Sequence, residues 1–572
     1  MTRNDAFAYG SGNIIVQVAG DANSVHVNGG PRPQLRLIPV ARRLCSQPAR
    51  DIQLLDPAFR ATPLIGREED LQRLHSWLRT QRPISIRTIT GPAGSGKTRL
   101  AFELLVDLAY GCNASALRWD AGFLTRTEAE RFVRGGNLTQ WGWEKPTLII
   151  IDYAATLASV LRPWFRELAD SPQAQSSTDE AVPLRFLLLE RNARIDDGWY
   201  GSLVSGDWQS HRVHDWFDPR ESVSLTPINS AAHRYRIFRS GLEWAAAKRG
   251  VSVPVPPHPG QDLAFDQRLS HPQWRDPLLL LMAGLVSLDT GTATALSLAR
   301  TDISMELAKR EGARVRALAP DDNRGAADLL LNMVALATIC GGLAHDEALH
   351  LASELQTAMG LEYPDGYRLL VDDLRDVLPS TSTWIDPIRP NLLGEGFLLQ
   401  VWKSPDVPAL RLAAKLDPDS VAFMLVRTAQ DFVSNDECRP TDWLGIFIQD
   451  KPGVIDFKML WQLVCALPED TAALAGFAGL LTDLLATAID HFRSDLPELT
   501  EVWAPEHALL LSRLAVWQRR LGHYDLALSS IEAAIRIHTL DSKPNGDFLP
   551  LMATLLNNLS NCQSCVGSIG TP

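Results

Sequence analysis

The hydrophobic pattern of this chain changes character along its length. From about residue 62 to 226, short apolar runs alternate with stretches of helical spacing. The runs at 84–90 (ISIRTIT), 116–119 (ALRW), 147–151 (TLIII), 184–189 (LRFLLL) and 222–226 (SVSLT) are read as strands. Strands separated by helices at this spacing predict βαβ units and a parallel sheet. TLIII is apolar on both faces, as a buried central strand requires. After residue 230 strand signals almost vanish. Runs such as LLLLMAGLVSL, ADLLLNMVALATI and TAALAGFAGLLTDLLATAIDHF predict a mostly helical second half, with breaks at the prolines of 252–259, 383–390 and 405–408.

The first thirty residues follow neither pattern. In 10–30 (GSGNIIVQVAGDANSVHVNGG), Ile14, Val16 and Val18 alternate with Ile15, Gln17 and Ala19 before a GDANS turn and Val25-His26-Val27. This predicts a hairpin, and one hairpin alone is marginal in water. It either docks on the neighbouring domain or stacks with copies of itself into a ladder. Residues 31–61, with Pro31, Pro33, Pro39, Pro48 and Pro57, read as a linker. Its basic stretch at 39–50 is expected to be solvated rather than a nucleic-acid patch.

Composition narrows the class. At 572 residues the chain is too long for one core, so several domains are expected. No run of eighteen apolar residues predicts a membrane span, and the start has no apolar segment of a secretory signal. Seven scattered cysteines suit a reducing compartment, and a cytoplasmic location is expected. The net charge of −12 makes nucleic acid an improbable partner of the whole surface. Neither Cys562-x-x-Cys565 nor the His211/His214 pair has further ligands at metal-binding spacing. The sixteen tryptophans are read mostly as core and interface anchors.

The chemistry is concentrated after the first strand of the alternating region. Gly91-Pro92-Ala93-Gly94-Ser95-Gly96-Lys97-Thr98 has the form G-x-x-x-x-G-K-[ST], follows a strand and opens a helix. Its glycines let backbone N–H groups turn around a phosphate, and the helix N-terminus, continuing through Arg99, adds partial positive charge. Lys97 is expected to reach the β- and γ-phosphates and Thr98 to ligate Mg²⁺. Asp152, at the end of TLIII, is expected to hold the same Mg²⁺ from a strand beside the phosphate-loop strand. Arg191, after RFLLLE, either senses the γ-phosphate or pairs on the surface with Glu190, and Arg194 competes for the role. Leu64-Ile65-Gly66 is read as backbone laid against an adenine. No guanine signature is found, so the expected ligand is ATP or ADP with Mg²⁺.

Near the C-terminus, Leu511, Leu514, Ala515, Gly522, Tyr524, Ala527, Ile531 and Ala534 fit a tetratricopeptide repeat. Leu556, Leu559 and Gly567 begin a second copy that stops before its second helix. Such repeats are expected to bind a protein trigger or partner.

Taken in order, LIGREEDL, the phosphate loop, DAGFL, LIIIDYA, FLLLER, RDPLLLLMAG and RPNLLGEGFL resemble the signal-transducing NTPases with numerous domains, the STAND class that includes NACHT and NB-ARC ATPases. The bacterial branch with C-terminal tetratricopeptide repeats is the most similar. The VQVAG segment is similar to amyloid-signalling motifs at the N-termini of some NOD-like receptors. The resemblance implies a multidomain α/β plus α protein: a P-loop parallel-sheet NTPase core, then a helical lid, a winged-helix-like region and α-helical repeats. The boundaries read from the sequence are a β-prone segment at 1–30, the linker at 31–61, the core at 62–230 and the lid at 231–320. The winged-helix-like region follows at 321–400, an α-helical region at 401–505 and the repeats at 506–572. The resemblance further implies that Pro277 lies near the adenine from the lid side. It also implies that a trigger drives ADP/ATP exchange and homo-oligomerisation, as in prokaryotic immunity. One departure stands out. The branch often reads Asp-Tyr-Ala-Glu where this chain has Asp152-Tyr153-Ala154-Ala155, so slow Mg²⁺-dependent hydrolysis is expected. The alternatives are a constitutive P-loop ATPase or motor, a scaffold with structural nucleotide, and a nucleotide-regulated transcription factor.

Overall fold

The computed structural model describes residues 34–40, 50–110, 118–135, 138, 141–175, 182–195, 198–204, 213–320, 323–378, 385–404, 406–432, 439–449, 500–541 and 548–569. The expected hairpin at 10–30, the segment 41–49 and the helical run 471–492 lie outside these residues. The chain divides into two compact units. One comprises Met1–Val40, His75–Ile89 and Leu105–Val223, and the other Ala41–Leu74, Thr90–Leu104 and Ser224–Pro572.

The first unit is built on a sheet of β1 (Ile84–Thr90), β2 (Asp120–Phe123), β3 (Thr147–Asp152), β4 (Leu184–Glu190) and β5 (Val223–Ser224). The order is β2-β3-β4-β1-β5, with β3 parallel to both β2 and β4. This order corrects one expectation. β3, which ends in Asp152, does not neighbour the phosphate-loop strand, because β4 lies between them. Lateral order comes from how the crossovers pass over the sheet, and strand spacing in the sequence does not encode it.

β3 and β4 are buried almost throughout, in keeping with their continuous apolar runs. The second strand is displaced from its expected position. The ladder uses Asp120↔Thr147 to Phe123↔Ile150, so DAGF forms β2, while Arg118 and Trp119 precede it without regular structure. Pairing with β3, rather than local apolarity, decides this edge. The expected strand at 222–226 also shrinks, to two residues.

Nor is the proline-rich stretch 31–61 structureless where it is described. Ile38 and Phe123 exchange backbone hydrogen bonds of 2.8 and 3.0 Å, which pairs residue 38 with the open side of β2. Further on, Asp51–Leu55 forms a short helix that buries Leu54 and Leu55. The prolines bound these pieces rather than dissolving them.

Helices Arg126–Arg134 and Ala158–Ala169 cover the sheet with an aromatic cluster. The ring of Trp164 lies 5.0 Å from Phe132, 5.7 Å from Trp141 and 5.4 Å from Phe186, in tilted and edge-on arrangements. Trp77, Trp141, Trp143, Trp164 and Trp199 are core residues of this unit, as expected. Arg185, on β4, is fully buried and donates to the carbonyls of Thr80 (2.6 Å), Arg82 (2.8 Å) and Leu184 (3.1 Å). Burial lowers its pKa to about 10, so it stays charged.

The described residues of the second unit are mostly helical. Helices Ala231–Arg249, Leu263–Ser270, Pro277–Thr290 and Arg300–Arg316 come first. Helices Arg324–Ile339, His345–Met359 and Tyr367–Val377 follow, with an antiparallel bridge between Leu343 and Ile385. Helix Asn391–Val401 then places Glu395 in a buried ion pair, 3.0 Å from Arg427 of helix Pro418–Phe432. At the C-terminal end, helices Thr500–Arg520 and Tyr524–Asp541 bury Ala508, Leu511 and Ala515 with Ala527, Ile531 and Ala534. All of these but Ala508 are positions the repeat pattern singled out. Helix Phe548–Ile569 adds Leu555 and Cys562 to this cluster, with Leu559 partly buried and Leu556 half exposed. No described helix is long and apolar enough to cross a membrane.

Candidate functional site

The phosphate loop runs from Gly91 to Gly96, between β1 and the helix Lys97–Tyr110. Gly91, Gly94 and Gly96 have φ of 159°, 87° and 95°. The loop's carbonyls are engaged in unbroken succession. Lys97 Nζ donates to the oxygens of Gly91 (2.5 Å) and Pro92 (3.1 Å). Arg300 Nη2 donates to Ala93 O (3.2 Å), Leu278 N to Gly94 O (3.4 Å) and Arg67 Nη2 to Ser95 O (2.9 Å). Gly96 O takes the first helical bond, from Leu100 N (2.9 Å). Within the loop Ser95 N donates to Pro92 O (3.2 Å), and the loop ends at the positive end of a helix, where an anion is favoured. Such an arrangement can take an anion of phosphate's size and charge.

Arg67, which follows Leu64-Ile65-Gly66 in LIGREEDL, also holds the loop. Its side chain is 3% exposed, and it joins Ser95 O to Thr226 O (2.6 Å). Before it, Leu64-Ile65-Gly66 turns beneath the helix Ala231–Arg249. Gly66 has φ +71°, and a Cβ there would stand 2.9 Å from His233 Nδ1. Ile65 is buried in the core of this unit with Ile228. The segment is therefore a fixed piece of backbone between the phosphate loop and the helix Ala231–Arg249. The side chain of Arg99 is committed elsewhere. It donates to Thr62 O and to Glu103, which also accepts from Arg60. Burial would raise the Glu103 carboxyl, but the hydrogen bond from Arg60 and the charge of Arg99 outweigh it and hold the pKa below the usual range.

Pro277 is the first residue of the helix Pro277–Thr290, where its missing N–H is harmless. It stands beside the loop, its Cγ 3.8 Å from where a Cβ on Gly96 would be. The residue before it, which sequence reasoning missed, is the more consequential. Asp276 caps this helix, Oδ1 accepting from Leu278 N (2.9 Å) and Leu279 N (3.4 Å). Its Oδ2 lies 3.5 Å from Arg300 Nη1. A Cβ at Gly94 would stand 2.5 Å from Oδ1, so only glycine fits. Burial pushes the Asp276 carboxyl up to about 6, against the opposing pull of Arg300, the two helix N–H groups and Lys97. An N-cap signal, Asp followed by Pro, was present in RDPLLL and could have revealed it.

In the first unit, Asp152 closes β3 and its Oδ1 accepts from Tyr153 N (3.1 Å). Tyr153 adopts left-handed φ/ψ (58°, 46°), a strained conformation for an aromatic residue. Glu190, at the tip of β4, accepts from Ala155 N and from Arg191 N. It sits where the register Asp152↔Leu189 brings the ends of the two strands together. Arg191 follows it, half buried. Thr98 and Asp152 are hard oxygen donors of the kind Mg²⁺ takes. Among the described residues, no group of three or more His, Cys, Asp and Glu is gathered to hold a metal ion.

No family model matches the sequence, and no curated protein matches it. Solved structures do. The Orc1 protein of Aeropyrum pernix in complex with DNA is 16% identical, with a TM-score of 0.28, over 61% of this chain and 96% of that one. A signal transduction ATPase with numerous domains (STAND) protein with a tetratricopeptide repeat sensor, from Pyrococcus horikoshii, is 11% identical. Its TM-score is 0.20, over 88% of this chain and 80% of that one.

Proposed function

We propose that this chain is an adenine-nucleotide switch: it binds ADP or ATP with Mg²⁺ at the phosphate loop and couples occupancy to the seating of its lid helices. The observation that carries this reading is the loop itself, a glycine-rich turn between β1 and the N-terminus of the helix Lys97–Tyr110, braced by Arg67 at Ser95 O and by Arg300 at Ala93 O. Lys97 supplies the mobile charge for the terminal phosphates. Thr98 and Asp152 would hold Mg²⁺, which would neutralise charge on the phosphate oxygens. Arg191 would sense the γ-phosphate, and Leu64–Gly66 with Pro277 would meet the base.

No carboxylate follows Asp152 at 153 or 155, which supports slow turnover and a role set by occupancy rather than flux. The helices at 231–316 form the proposed lid. The three helices at 324–377, with the Leu343–Ile385 bridge, form the winged-helix-like element. The C-terminal helices form the repeat that meets a protein partner. Exchange of ADP for ATP on that signal drives assembly into homo-oligomers, in a signalling or defence role.

The test is equilibrium binding of ADP and of a non-hydrolysable ATP analogue, followed by size-exclusion chromatography with each. Wild-type protein is expected to bind both and to change its oligomeric state between them, and Lys97→Ala to lose binding. Failure of the wild type to take up either nucleotide at millimolar concentration overturns the proposal. Fast constitutive hydrolysis would replace the switch with a motor.

A further inference from the structure

We infer that Asp276, held against the phosphate loop by Arg300, is a specificity-determining residue that favours a nucleoside diphosphate over a triphosphate while the helix Pro277–Thr290 is seated. The inference rests on the nucleotide-binding reading above and concerns how much negative charge the loop accepts.

Three observations lead to it. The first is position: the Asp276 side chain is 11% exposed and packs so close to Gly94 that no Cβ fits between them. The second is the way the carboxylate is fixed. Two helix N–H groups bind Oδ1, and Arg300 bridges from Oδ2 to Ala93 O, one residue before Gly94. Asp276 therefore cannot swing away without uncapping its helix and releasing the loop carbonyl. The third is electrostatic. The charged groups that act on this carboxylate are Arg300 and Lys97, and Asp276 in turn acts on Arg67. Lys97 is the cation the terminal phosphates need. Asp276 draws on the same positive field, and with burial holding its carboxyl at about 6 it is still ionised at neutral pH and above.

A triphosphate brings one more negative charge than a diphosphate into this loop, in surroundings where charges are poorly screened. With Asp276 in place, that extra charge meets a fixed anion. The cap geometry alone does not need the charge, since Asn and Ser serve as N-caps as well as Asp does.

The experiment measures dissociation constants for ADP and for a non-hydrolysable ATP analogue, with Mg²⁺ at pH 8, in wild type, Asp276→Asn and Asp276→Ser. Both substitutions keep a capping oxygen and remove the charge. The expected result is a roughly tenfold shift of the affinity ratio toward the triphosphate in both variants. Thermal unfolding without nucleotide checks that each variant folds, and either folded variant decides the matter. A ratio within twofold of wild type, when wild type binds both nucleotides, overturns this inference alone. Wild type that binds neither nucleotide overturns the nucleotide-binding reading and this inference with it.

Discussion

Glu190 ties together the tips of two neighbouring strands: one carboxylate oxygen accepts the N–H of Ala155, just past β3, at 3.0 Å. The other accepts the N–H of Arg191, just past β4, at 2.7 Å. It fixes the turn that follows Asp152, including the left-handed Tyr153. Glu190→Ala is therefore expected to lower single-turnover ATP hydrolysis by roughly tenfold, while nucleotide affinity stays within about twofold. Glu190→Gln, which keeps an acceptor for Ala155, should retain most of the rate. Equal loss in the Gln and Ala variants would point to the charge of Glu190 instead.

Gly94 has no tolerance for a side chain. At φ +87°, and with Asp276 Oδ1 2.5 Å from an added Cβ, Gly94→Ala combines backbone strain with a collision. A destabilisation of about 2 kcal/mol or more is expected. Hydrogen exchange should show faster opening of the helix Pro277–Thr290, since Leu278 N donates to Gly94 O.

Asp276 also gives a pH signature. Its folded pKa, about 6, lies above the ordinary 3.8, so between these values the folded state binds more protons than the unfolded chain. Stability from this group falls as pH rises from about 4 to 6 and is level above that. The groups acting on it are Arg300, the N–H donors of Leu278 and Leu279, and Lys97. In denaturant titrations, Asp276→Asn should match wild type near pH 4 and exceed it by about 2 kcal/mol at pH 7. An unchanged difference across that range would contradict the assignment.

Arg185 closes the far end of β4. Arg185→Met would leave the carbonyls of Thr80, Arg82 and Leu184 without their buried donor. The expected loss is about 3 kcal/mol, read as a lower denaturant midpoint for the sheet unit. A shift under roughly 0.5 kcal/mol would mean that water or neighbouring groups replace it.

The strands with the strongest apolar runs, TLIII and LRFLLL, were legible because burial on both faces leaves an unmistakable pattern. β2 was not, since an edge strand of Asp120, Ala121, Gly122 and Phe123 owes its place to pairing with β3. The phosphate loop was readable from glycine spacing, which encodes backbone conformation directly. The lateral order of β3, β4 and β1 was hidden, and with it the fact that Glu190 and Arg191, not Asp152, end the strand beside the loop strand. Arg67, Asp276 and Arg300 were missed or underrated for a related reason: each acts on the loop's main chain from a distant stretch, and an isolated Arg or Asp carries no local motif.

The phosphate loop contains only part of the instructions for its own shape. Its Ser95 carbonyl is secured from 28 residues upstream, by Arg67, and its Ala93 carbonyl from 207 residues downstream, by Arg300. Moving GPAGSGKT and its helix onto a foreign sheet would transplant the signature and leave the mould behind. Conversely, the exposed side chain of Pro92 takes no part in that mould, so its identity is free to drift while the recess keeps its form.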